Sequence, residues 1–206
     1  MTMAPLRRLS VPLAASTAAL LATPALAAST AYTVDPTHTA VYFGASHFDR
    51  ITVRGRFNKI DGRILYDPAN GTGSIDFTVD TDSVDTGNRS LDGVLHSAQF
   101  LDSQAFPTAR LQANRFIVEG GKLVAVEGSL SLHGVTKPIK LEADRFSCGE
   151  VVLFGIKRNV CGGDFRTTLP RSAFGITRFL PDVGDTVTLQ ISVEASPGGT
   201  AQPSGK

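Results

Sequence analysis

Apolar and polar residues alternate with a period of two through segment after segment of this chain, and no other feature limits its fold so sharply. Ile75, Phe77 and Val79 alternate with Asp76, Thr78 and Asp80, and Val187, Leu189, Ile191 and Val193 alternate with Thr188, Gln190 and Ser192. A longer stripe runs through Val124, Val126, Gly128, Leu130 and Leu132. Ile139, Leu141 and Ala143 continue it beyond a turn, with Lys140, Glu142 and Asp144 between them. Successive strand side chains point to opposite faces, so this is the pattern of an antiparallel sheet with one buried face and one wet face. Turn chemistry separates the segments. Gly120-Gly121 and His133-Gly134 suit two-residue hairpins, which demand positive φ, and Asp67 to Gly71 forms a further break. Pro138 removes a ladder donor within an apparent strand, so it should mark a strand start, an edge or a bulge.

One stretch departs from this period. Leu91, Val94, Leu95 and Ala98 recur at helical spacing after Thr86 and Asn88, either of which suits an N-cap. Gly93 limits the expected helix to a short one. Strands of this kind have two solutions, a two-sheet sandwich or a closed barrel. A sandwich fills itself with side chains, whereas a barrel of about eight strands can hold one small apolar ligand. Alternation alone does not separate them.

The N-terminal stretch reads as an export leader. Arg7 and Arg8 precede an apolar, alanine-rich run from Leu9 to Leu26, and Ala25-Leu26-Ala27 has the small-residue pattern of a cleavage site after Ala27. Residues 1–27 are therefore expected to be a signal peptide, 28–195 a single domain, and 196–206, rich in Gly, Pro and Ser, a disordered tail. The expected location is the periplasm. The chain carries 20 Lys and Arg against 19 Asp and Glu; without Arg7 and Arg8 the acidic residues are one in excess. Such a balance lacks the basic footprint of a nucleic-acid binder and gives no strong attraction to anionic membranes. No segment of the exported part reads as membrane-spanning.

Residues that carry chemistry are few. Cys148 and Cys161 lie in the exported part, and a structural disulfide bracing the connection after a strand ending near Phe146 is expected there. A free thiol pair and half a metal site are the alternatives. The four histidines, His38, His47, His96 and His133, show no metal-ligand spacing, and G-x-S-x-G and P-loop patterns are absent. His133 reads as an exposed turn residue, His96 as a surface or cap residue, and His38 as a tie for the first strand. His47 shares a strand face with Phe43 and Ala45. It reads most simply as a satisfied core histidine, with ligand contact as the alternative. No catalytic residues, metal or cofactor are expected.

Six phrases in order resemble the YceI family: Tyr32 to His38, Val41 to Phe48, Val53-Arg-Gly55-Arg-Phe57, the block with Thr86, Asn88-Arg89, Leu95, Phe100 and Phe106-Pro107, Leu132-His-Gly134-Val-Thr136-Lys-Pro138, and Arg171, Phe174, Gly175. The helix block is less charged here than is common in the family, and the cysteine pair belongs to only part of it. The resemblance implies an all-β fold, an extended antiparallel lipocalin-like barrel of about eight strands with one short helix near one end. It also implies a periplasmic protein that binds a polyisoprenoid, an isoprenoid quinone or a similar long-chain amphiphile, and for some members a link to a membrane b-type cytochrome. A site for such a ligand needs a long apolar lining, since each buried CH₂ contributes about 0.8 kcal/mol without directional partners. The expected lining is Phe43, His47, Phe57, Ile75, Phe77, Val79, Leu130, Leu132, Arg171 and Phe174, with Leu95 and Phe100 closing one end. Two other functions compete with a carrier: an interaction module whose core is filled by its own side chains, and a lipid-modifying enzyme using His47 with Arg171.

Overall fold

A computed structural model describes residues 29–67 and 70–198 of the chain. The expected leader and all of the expected tail beyond Gly198 lie outside these residues. The strands are β1 (Thr30–Val34), β2 (Ala40–His47), β3 (Ile51–Phe57), β4 (Ile60–Asp67), β5 (Thr72–Asp80), the two-residue β6 (Val84–Asp85), β7 (Thr108–Glu119), β8 (Lys122–Leu132), β9 (Val135–Leu153), β10 (Ile156–Pro170) and β11 (Val183–Pro197). One helix, α1 (Arg89–His96), interrupts them. β11 reaches Pro197, so the first residues assigned to a disordered tail, Ser196 and Pro197, are strand residues paired with β1.

Eight strands close into an antiparallel ring in the order β1-β4-β5-β7-β8-β9-β10-β11, because β1 pairs with both β4 and β11. β11 carries β1 on its C-terminal end, Ala195 to Pro197, and β2 along Val183 to Ser192. β3 then folds back on β2, and β6 adds to β3. The barrel resemblance therefore holds, and the sandwich is excluded by ring closure.

Two hairpin turns fall where glycines are expected to place them. Gly120 and Gly121 join β7 to β8, and His133 and Gly134 join β8 to β9, all at positive φ. The stripe on β8 is broken once. Ile117 faces Ala125 while Val118 faces Leu123, which leaves Val124 as an extra residue in a bulge. Leu123, not Val124, is consequently the buried residue at that end. Pro138 sits inside β9, paired with Ser129 of β8. The β10 ladder on the other side of β9 stops at Glu142–Arg166, so the missing N–H falls on a locally free edge.

β9 does not end near Phe146 but continues to Leu153, and beyond Ala143 it pairs with β10 alone. β9 and β10 thus project as a two-stranded ribbon. Cys148 and Cys161 are directly opposite one another at its base, where Cys161 also pairs with Ala195 of β11, and a disulfide joins them with Cα atoms 4.0 Å apart. The bridge staples a ribbon and not a loose connection, since the turn beyond it is only Phe154-Gly155.

Side chains fill one end of the barrel. Tyr32, Val34, Ile64, Tyr66, Ile75, Leu123, Val126, Cys161, Phe165, Val193 and Ala195 form a buried cluster there. Packing is close enough that a Cβ on Gly128 would collide with Gln112 O and with Ala113 Cα and Cβ. The other end is hollow.

Candidate functional site

Asn88 starts α1: its Oδ1 accepts from the backbone N–H groups of Ser90 and Leu91 at 3.0 and 3.3 Å. Thr86 contributes too, its N–H and hydroxyl both donating to Asp92 Oδ1 at 2.8 and 2.7 Å. This double anchor holds the helix so that Leu91, Val94 and Leu95 line a cavity of about 330 Å³ in the hollow half of the barrel. Phe77, Leu111, Leu141 and Ile191 belong both to the buried cluster and to the cavity wall. They are the floor on which the packed half ends.

Phe43, His47, Phe57, Phe77, Val79, Leu95, Phe100, Leu130, Leu132 and Arg171 all line this cavity. Ile75 and Phe174, expected beside them, do not. Ile75 faces inward as its alternation requires, but lies two residues further along β5, inside the packed cluster. Phe174 closes a 3-10 turn, Arg171–Phe174, and is buried outside the cavity wall. Other wall residues carry a period that the sequence shows. Leu91 and Val94 share the helical stripe with Leu95, and Val187 and Leu189 share the strand stripe with Ile191. Phe179 and Val183 carried none, because Phe179 falls in an irregular connection and Val183 opens the strand that follows it.

The wall is almost free of polar groups. Ser46, His47 and Arg171 are the polar side chains on it, and Arg171 is the charged one. Arg171 is only 5% exposed. Its Nε donates to Gly184 O at 3.0 Å, Nη1 to Ile176 O at 2.9 Å and Nη2 to Val183 O at 2.7 Å. Burial pushes its pKa down, opposed by the nearby charge of Asp185. The guanidinium clamps the connection between β10 and β11. Asp185 holds the same connection from outside, accepting from the N–H and hydroxyl of Ser172 at 2.8 Å each, and these bonds keep its carboxyl below the ordinary range.

The histidines divide by position. His47 lines the cavity, its ring edge-on to Phe48 with centroids 4.3 Å apart. His133 is not an exposed turn residue: its Nδ1 donates to Phe174 O at 3.0 Å and its ring packs on Phe106. The β8–β9 turn leans on the 3-10 turn, which a sequence window cannot show. His96 is half-buried, 3.8 Å from Asp82. His38 ties down the start of the barrel as expected, with Nδ1 2.9 Å from Asp35 Oδ2 and 3.7 Å from Glu194 Oε1.

Asp35, His38 and Glu194 also bring three potential metal-ligand atoms within 4.8 Å of one another. None of the three lines the cavity. Nδ1 of His38 donates to Asp35, and this hydrogen bond raises the pKa of His38. Burial would raise that of Asp35, but its bonds to His38 and Thr37 outweigh this and lower it. The Asp35–His38 pair contributes to both shifts, and Thr37 adds to that of Asp35. No helix among the described residues is long and apolar enough to cross a membrane.

The family model for the YceI-like domain matches residues 32–195. A UPF0312 protein of Vibrio cholerae is 33% identical over 167 residues, covering 80% of this chain and 87% of the relative. One from Shewanella baltica is 31% identical over 185 residues, covering 88% and 95%. Among solved structures, Burkholderia cenocepacia BcnA superposes with a TM-score of 0.67 at 20% identity, over 79% of this chain and 99% of that one. A polyisoprenoid binding domain from Saccharophagus degradans, implicated in plant cell wall breakdown, superposes at 0.59 with 18% identity, over 82% and 99%. At these identities the structural likeness shows the fold alone.

Proposed function

Since this chain belongs to the YceI family, we propose that it is a lipid-binding protein, exported to the periplasm, which holds a polyisoprenoid, an isoprenoid quinone or a similar long-chain amphiphile. One observation carries this reading: the half of the barrel next to α1 is an apolar cavity of about 330 Å³. Pockets for small ligands run from roughly 300 to 1,000 Å³, and an apolar wall favours a hydrocarbon chain over any polar substrate. The polyisoprenoid binding domain with the same fold supports the choice of ligand class. The hollow half stands against a module filled by its own side chains. Arg171, with three donors bonded to backbone carbonyls, is poorly placed to serve a lipid-modifying enzyme. The cavity needs no cofactor for binding of this kind.

The test is direct. Protein purified from the periplasm without detergent is extracted with organic solvent, and the extract is analysed by mass spectrometry. Delipidated protein is then loaded with isoprenoid quinones. A single class of long-chain lipid, retained near one molecule per chain, is the expected result. Absence of any co-purifying lipid together with no uptake of quinone, prenol or fatty acid would refute the proposal.

A further inference from the structure

The cavity opens among apolar side chains that the barrel itself does not use. Phe48 and Ile51, around the turn between β2 and β3, are 54% and 62% exposed. Phe179 and Leu180, in the connection leading to β11, are exposed as well. These two segments are neighbours: the N–H of Phe48 donates to Asp182 O at 2.6 Å, and His47 pairs with Val183. Phe179 reaches inward, its ring 6.1 Å from that of Phe100, and both line the cavity. Val94 of α1 is likewise both exposed and part of the wall. Phe179 and Val94 therefore connect solvent-exposed apolar surface to the cavity wall.

The backbone makes this arrangement more pointed. Phe48 has φ 53° and Phe179 has φ 59°, the left-handed region, which glycine and asparagine enter readily and bulky side chains do not. A turn needed only to reverse the chain would be served better by either of those residues. Chain reversal alone therefore does not explain the exposed phenylalanine at position 48, nor the exposed part of Phe179.

Charge narrows what that use is. Arg50 and Arg178 stand on these segments, the guanidinium of Arg178 4.3 Å above the ring of Phe179, but Asp49 and Asp182 offset them. Attraction to a strongly charged partner is not built in. Exposed apolar side chains with an arginine stacked on one ring and no net charge match the boundary between headgroups and acyl chains of a bilayer, where rings enter the hydrocarbon and a guanidinium stays with the phosphates.

We propose that this rim seats on a lipid bilayer. Phe48, Ile51, Phe179 and Leu180 enter its surface, so that an amphiphile passes between bilayer and cavity without crossing water. The purpose rests on the cavity being a lipid site, but the docking is measured without any cargo. The tip of the β9–β10 ribbon provides an internal control. Phe154 is 94% exposed at φ 50°, yet no residue between Leu141 and Leu169 lines the cavity.

The experiment is flotation of the exported protein with vesicles of phosphatidylethanolamine and phosphatidylglycerol, and with vesicles of phosphatidylcholine alone. The rim variant combines Phe48→Asn with Ile51→Thr. Neither residue lines the cavity, asparagine suits the left-handed backbone, and threonine suits a strand. Wild type and Phe154→Asn should float with both vesicle types. The rim variant should float about tenfold less while melting no earlier than wild type, because binding scales with the apolar surface inserted. Wild type that stays at the bottom of the gradient overturns the proposal, as does a rim variant that floats fully. Loss of flotation only in Phe154→Asn would put the bilayer at the opposite end. A wild-type dimer that the rim variant converts to monomer, with no flotation of either, would assign the patch to a second copy of the chain. Quinone loading in detergent is scored separately, so a protein that floats but takes up no lipid refutes the cavity reading and leaves the docking intact.

Discussion

Ala109 and Ala113 lie four residues apart on β7 with the same inward orientation, yet one lines the cavity and the other sits in the packed cluster. Replacing each with phenylalanine separates a half-hollow barrel from a filled one. At position 113 there is no cavity to enter, since Ala113 is 6% exposed and sits inside the packed cluster. Overpacking there should cost about 3 kcal/mol or more, the upper part of the usual 1–3 kcal/mol range. At position 109 the ring enters the cavity. Burying a phenylalanine side chain contributes about 1.5–3 kcal/mol, reduced by the rotamer freedom it loses, so stability should be unchanged or rise by about 1 kcal/mol. The ligand suffers instead. Six added carbons displace a similar length of lipid chain, and at about 0.8 kcal/mol for each buried CH₂ the loss approaches 4–5 kcal/mol, or about a thousandfold in affinity as an upper bound. Urea unfolding of delipidated protein and titration with a fluorescent quinone analogue read the two effects. Equal destabilisation by Ala109→Phe and Ala113→Phe would show that the cavity is filled in solution, and the functional reading would fall with it.

Three further outcomes are expected. The Cys148→Ser, Cys161→Ser double variant should lose up to about 3 kcal/mol, as a loop closed over 13 residues implies, while lipid binding is kept because neither cysteine lines the cavity; lost binding at unchanged stability would mean that the ribbon shapes the site. Arg171→Met leaves three backbone carbonyls without their donors and should destabilise by about 2–4 kcal/mol, whereas a variant that melts normally but loses one class of head group would make Arg171 a ligand contact. The Asp35–His38 pair should add less than about 1 kcal/mol, both partners being partly exposed. Its sign follows from the shifts. The share of His38, whose pKa is raised, is full below the ordinary value of 6.5 and is lost as pH rises through the folded value. The share of Asp35, whose pKa is lowered, is present above 3.8 and is lost as pH falls below that. Melting of His38→Gln across this range should approach wild type on the alkaline side; a constant difference at every pH would refute the pairing.

Much of this protein is written in short-range pattern. Strand alternation assigns Phe77, Val79, Leu130, Leu189 and Ile191 to the interior because a pleated backbone turns successive side chains to opposite faces wherever it lies. The glycine pair at 120–121 and Gly134 set hairpins by a local steric rule, and Asn88 caps α1 through bonds spanning two and three residues. The interior of a barrel has two halves, and alternation marks both alike. Ile75 and Phe77 read identically, but only Phe77 reaches the cavity, because depth along the barrel axis depends on how strands distant in sequence are staggered. A single bulge at Val124 reverses which of two neighbours is buried, and its cause lies in the pairing of β8 with β7. Phe179 and Val183 enter the wall through a connection without period, held there by the bonds of Arg171 to carbonyls up to thirteen residues away. Local chemistry therefore determined strands, turns and helix. Where the barrel is solid and where it is hollow was decided by long-range register, since only the closed ring brings floor, wall and rim to their places.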